Sequence, residues 1–216
     1  MTRIESKDNE ASILKWFDED VEDGENTILI YPNLQTFRQI YTKYVKVQLA
    51  AREKEEEDSK LRRKSKSRII LIAPFYETVD SVKHHLSTFA VENTQRLIDS
   101  GSLVIVDSFY SFFPDSNGMK KLIDSLSERA RKEGRDGVSA IVDMGSFFLH
   151  GGDGKATELI SYETGLAPKT QDGNVKGFSC YHWGNYRTLT DADKDQITQG
   201  QKKKLLQVTE NNNTTL

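Results

Sequence analysis

A chain of 216 residues is long enough for one substantial core, and the usual size of domains favours one unit over two. Apolar residues make up 36% of it and charged residues 29%, with a formal net charge of -3, a composition that gives no general attraction for nucleic acid or an anionic membrane. The single cysteine, Cys180, excludes an internal disulfide framework and a multi-thiolate metal site. The first stretch, MTRIESKDNEASILKWF, carries no hydrophobic signal core, and no apolar run approaches the roughly 18 residues of a membrane helix, so a cytoplasmic protein without membrane contact is expected.

Five apolar runs follow in chain order: Thr27 to Tyr31 (TILIY), Arg68 to Tyr76 (RIILIAPFY), Ser102 to Tyr110 (SLVIVDSFY), Gly137 to Phe148 (GVSAIVDMGSFF) and Val175 to Trp183 (VKGFSCYHW). Their centres are continuously apolar rather than alternating, as in parallel strands covered on both faces. Between them, Leu34, Phe37, Tyr41 and Tyr44 keep helical spacing, as do Val79, Val82, Leu86 and Phe89. A third helix is predicted over Met119 to Glu133, with Gly134 as its C-cap, and a fourth near Ala156 to Leu166, ending before Pro168. A short helix near Ala192 to Thr198 and an edge strand in KKLLQV complete the pattern. Alternating strands and helices predict an α/β fold, a three-layer sandwich around a mainly parallel sheet with right-handed crossovers.

The charged segment Arg52 to Arg68, with five acidic and eight basic residues, either extends the first helix or leaves it as a mobile excursion. Arg62, Arg63, Lys64, Lys66 and Arg68 concentrate its positive charge and are the candidates for contact with nucleic acid or a protein partner, although a solvated connector explains them as well. One domain is expected over residues 1–210, with a disordered tail at 211–216.

Asp107 and Asp143 each end an apolar run, as does the magnesium-supporting aspartate of P-loop ATPases. Such a site also needs a glycine-rich turn to cradle phosphate, and the first strand leads instead into YPNLQTF, without glycine or lysine. GGDGKAT, Gly151 to Thr157, lacks the full spacing and follows the wrong strand. An active ATPase or other hydrolase is therefore the minority alternative. The two aspartates either cap loops or face one another in the crevice at the strand ends. Cys180 and His182 share a strand face without an identifiable third catalytic group, which favours packing over a nucleophile. Tyr162 and Glu163 lie on the fourth helix, suited to orient a polar ligand or to tie helix to sheet. Tyr31, Tyr76, Phe109, Tyr110, Phe147, Phe148 and Trp183 make the strand ends aromatic, as a ligand pocket or as core. His84, His85 and His150 do not complete a zinc motif, and neither a metal nor a cofactor is expected.

The order DSGSLVIVDSFYSFF, GMKKLIDSLSERARKEGRDGVSAIVDMGSFF, ELISYETGL and GFSCYHWGNYRTLTDADKDQI resembles the MEDS domain, the methanogen and methylotroph sensory domain of DcmR-like regulators, over residues 24–200. The resemblance implies a RecA-like fold related to the KaiC ATPases with the phosphate-binding loop lost. It also implies a non-catalytic role in sensing small hydrocarbon derivatives, in signal transduction or transcriptional regulation. The positions it carries over as a ligand pocket are Asp107, Tyr110, Asp143, Tyr162, Glu163, Cys180 and Tyr181. The chain departs from the family in its opening NTILIYPN, in the charged segment and in His182 and Trp183 after the CY pair. No output module is visible, so a small-molecule signal would pass through a homodimer or a separate regulatory partner.

Overall fold

The computed structural model describes residues 26–58, 67–89, 94–112, 118–149, 155–170, 174–199 and 204–208. Its strands are β1 (Asn26–Tyr31), β2 (Arg68–Ala73), β3 (Leu103–Ile105), β4 (Gly137–Asp143), β5 (Val175–His182) and β6 (Lys204–Gln207). Its α-helices are α1 (Leu34–Asp58), α2 (Val79–Phe89), α3 (Thr94–Asp99), α4 (Ser108–Phe112), α5 (Gly118–Lys132), α6 (Lys155–Thr170), α7 (Trp183–Tyr186) and α8 (Asp191–Gln199). A 3-10 helix, Met144–Phe148, follows β4 directly.

The strands form one sheet in the order β3-β2-β4-β5-β1-β6, and every pairing is parallel. β1, β2 and β4 are buried along their whole length, which is why their sequences read as unbroken apolar runs. Successive residues of a strand serve opposite layers. Leu29, Ile70, Ile72, Leu103, Ile141 and Phe178 meet α1, α2 and α3 on one face. Ile28, Ile69, Leu71, Val138, Ala140 and Val142 meet α5, α6 and α8 on the other. Full burial of a side chain of this size contributes roughly 1.5–3 kcal/mol, so the two layers carry most of the stability.

Local chemistry sets the helix ends. The side chain of Asn33 accepts from Thr36 N at 2.9 Å and starts α1, while Thr190 and Asp193 exchange hydrogen bonds in a reciprocal capping box before α8. α5 stops where expected. Gly134 takes φ +71°, and Arg135 N donates to Ala130 O while Gly134 N donates to Arg131 O, the Schellman arrangement.

Several boundaries differ from the sequence-based expectation. The apolar runs ending in Tyr76, Tyr110 and Phe148 each outlast their strand, which gives way to a turn, to α4 and to the 3-10 helix. The second crossover is divided between α2 and α3. α6 continues through Pro168 to Thr170, past the proline expected to end it, without the one backbone hydrogen bond that the missing amide donor would make. α1 runs on to Asp58, the first of the two alternatives left open for the charged segment, so its acidic half is helical. Arg62, Arg63, Lys64, Lys66 and the 211–216 tail lie outside the described residues. Arg68 is corrected as a surface cation: it is 6% exposed and its guanidinium donates to the carbonyls of Val138 at 3.1 Å and Asn174 at 3.0 Å.

Candidate functional site

The crossovers leaving β1 and β2 cover one face of the sheet, and those leaving β3, β4 and β5 cover the other. Neighbouring strands β1 and β5, and likewise β2 and β4, therefore send their chains to opposite sides. Between such strands the carboxyl ends open the crevice in which α/β folds bind ligands.

Here the crevice is filled from within. Tyr31, the last residue of β1, reaches across β5 to β4, where its hydroxyl donates to Asp143 Oδ2 at 2.7 Å. Gly145 N donates to the other carboxylate oxygen at 3.0 Å, so Asp143 caps the 3-10 helix. The Tyr31 ring stacks on Phe37 at 5.0 Å and meets His182 edge-on at 5.5 Å, and His182 in turn packs against Tyr76 at 5.4 Å. Asn185 Nδ2 donates to the Tyr76 hydroxyl at 2.7 Å. Behind Tyr76, Arg38 of α1 donates to Glu77 Oε2 at 3.0 Å and to Ser81 Oγ at 3.1 Å, tying α1 to the β2–α2 turn.

Burial raises the carboxyl pKa of Asp143 to about 7, against the lowering effect of the Tyr31 hydroxyl and the amides of Gly145 and Phe75. Asp143 is fully buried and both its oxygens are engaged. As placed, this carboxylate positions loops and offers no free face to a ligand.

The seven predicted pocket residues fall into three places. Asp107 follows β3 at the sheet edge, where its Oδ1 accepts from Tyr110 N at 3.2 Å and caps α4, while the Tyr110 side chain is 71% exposed. β2 lies between the strands of Asp107 and Asp143, and each aspartate caps the helix that follows its strand, the first of the two alternatives the sequence left open. Asp143 and Cys180 share the layer under α1. Cys180 is fully buried, its thiol donating weakly to Phe178 O at 3.6 Å, and burial followed by the charges of Asp143 and Glu163 pushes its pKa up. An inert packing thiol results. His182 likewise uses its Nδ1 to accept from Gly184 N at 3.2 Å and cap α7.

Tyr162, Glu163 and Tyr181 meet on the opposite face. Glu163, fully buried, accepts from the Tyr181 hydroxyl at 2.6 Å and from Asn26 Nδ2 at 3.3 Å. The Tyr162 ring packs on Phe112 at 4.9 Å and Phe147 at 5.7 Å. Cys180 and Tyr181, adjacent in sequence, thus serve opposite layers and cannot line one pocket.

What reaches solvent is a set the sequence noted only in part. The large apolar side chains exposed among the described residues are Tyr76, Tyr110, Leu149 and Trp183. They follow the carboxyl ends of β2, β3, β4 and β5 in that order. Leu149 and the polar neighbour Asn185 went unremarked in the sequence, since nothing in their local pattern separates a rim from an ordinary loop. Among the described residues no three His, Cys, Asp or Glu side chains converge to hold a metal ion, and no helix is long and apolar enough to cross a membrane. No protein-family model matches the chain, nor does any curated protein.

Proposed function

We propose that the chain is a non-catalytic sensory domain of the RecA-like, MEDS type, which binds a small molecule at the carboxyl edge of its sheet and reports occupancy to a partner. The observation that carries the reading is the placement of Tyr76, Tyr110, Leu149 and Trp183 after four strands, all at one edge of one sheet. Exposed apolar side chains gathered on one edge mark binding surfaces more often than chance scatter does. Asp107 and Asn185 supply polar anchors beside them, while Asp143, Glu163, Cys180 and Tyr181 shape the scaffold from beneath.

The parallel six-stranded sheet supports a RecA-like architecture, and the turn after β1 speaks against retained ATPase chemistry. It contains no glycine, and Asn33 spends its side chain on the first turn of α1. Where a phosphate loop would stand, Tyr31 instead leans on Asp143. A ligand that shifts Tyr76 acts on the ring contacts running through His182 and Tyr31 to Asp143, which gives the edge a physical route into the core.

Trp183 provides the readout. In a Trp16→Phe background it is the sole tryptophan, and its emission should change saturably with one class in a panel of small halogenated and oxygenated hydrocarbons. Tyr76→Ala should weaken that response at least tenfold with the fold retained. Magnesium-dependent ATP turnover lost in Asp143→Asn, or salt-sensitive nucleic-acid binding without any small-molecule response, would replace this proposal with the enzyme or scaffold alternative.

A further inference from the structure

Between α6 and the sheet, Asn26, Ile123, Val142, Tyr162, Gly177 and Ser179 help to line a cavity of about 10 Å³. That is room for a single water molecule. Two of the residues that line it carry a polar atom, Tyr162 Oη and Asn26 Oδ1, that is shut off from solvent and has no hydrogen-bond partner among the described residues. Buried polar groups in folded proteins are satisfied with few exceptions, so a pair of them on one small cavity demands an explanation.

The two atoms are chemically complementary. A neutral phenol has one proton to donate and an amide oxygen only accepts. The Asn26 amide cannot turn freely, because its Nδ2 is held by Glu163 Oε2 at 3.3 Å, which leaves Oδ1 as the acceptor still to be used. The residue at position 177 keeps the space open, since a Cβ there would fall 2.6 Å from Asn26 Oδ1. Burial, and then the nearby charge of Glu163, raises the Tyr162 pKa well above its ordinary value, so the phenol keeps its proton at every physiological pH.

We infer that this cavity is a hydrogen-bonding site for one water molecule, which accepts from Tyr162 Oη, donates to Asn26 Oδ1 and thereby fastens α6 to β1 beside Glu163. The site is independent of the proposed ligand edge, and the failure of either leaves the other standing. It assigns Tyr162 a bridging role in the scaffold in place of contact with a diffusible ligand.

The test compares the full chain with Tyr162→Phe. Water-oxygen magnetic relaxation dispersion should count one long-lived water fewer in the variant, and the thermal midpoint should fall by about 2–4 °C. An unchanged count overturns the inference. So does a midpoint that rises, because removing a truly unpaired hydroxyl relieves a burial cost. A crystal structure of the unaltered protein gives a reading that needs no variant: one ordered water bonded to both atoms supports the site, and an empty cavity or a protein partner for Tyr162 Oη refutes it.

Discussion

Two buried carboxylates on opposite faces of the same sheet have been put to different uses. Asp143 ends a strand, bonded to a tyrosine from two strands away and to the backbone amide of the turn that follows it. Glu163 sits within a helix–sheet interface, bonded to Tyr181 of β5 and Asn26 of β1. The first organises loops immediately below an exposed aromatic rim; the second clamps a helix to the middle of the core. A buried carboxylate is therefore no index of a binding site by itself, and the distinguishing feature is what lies between it and solvent.

That contrast is open to attack most forcefully through pH. The Asp143 pKa is raised from 3.8 to about 7 in the fold, so its contribution to stability is full below about pH 4 and is lost as the pH rises through 7. Asp143→Asn removes this titration. The stability of the unaltered protein relative to that variant should fall by as much as roughly 4 kcal/mol between pH 4 and pH 8. Urea unfolding at the two pH values measures it, and a flat difference would mean that Asp143 is better solvated than its burial indicates. Next in size, Glu163→Ala strands the Tyr181 hydroxyl and the Asn26 amide and should cost about 3 kcal/mol, with Glu163→Gln milder because its carbonyl can still accept. Equal costs for the two substitutions would argue against the clamp.

Much of this fold was legible because parallel strands buried on both faces have to be written mostly in apolar residues, as Ile69 to Ala73 and Ala140 to Val142 are. Gly134 ended α5 as expected because few other residues sit comfortably at a φ of +71°. The strand ends were overrun at Tyr76, Tyr110 and Phe148, since apolar character does not say whether a short run continues extended or turns into a helix. Strand order was the decisive missing quantity. Asp107 and Asp143 look equivalent in sequence, yet β2 separates their strands, whereas Tyr31 and Asp143, remote in sequence, touch. Nothing local encodes either fact.

Smaller effects sharpen the comparison further. Tyr31→Phe keeps the ring contacts with Phe37 and His182 and deletes one hydrogen bond, for an expected loss of about 1.5 kcal/mol that grows above pH 7, where the carboxylate is charged. At the rim, Tyr110→Ala should leave stability within about 0.5 kcal/mol of the unaltered protein. It should nevertheless weaken ligand binding, and a large change in thermal midpoint would show that this side chain is covered in solution.

The most direct measurement is a high-resolution structure of protein purified gently enough to keep any small molecule it carries. Density for a ligand lying against Tyr76, Tyr110 or Trp183 at the carboxyl edge is the predicted result. A ligand lodged between α6 and the sheet, or a rim packed over by the protein's own chain, would contradict the account.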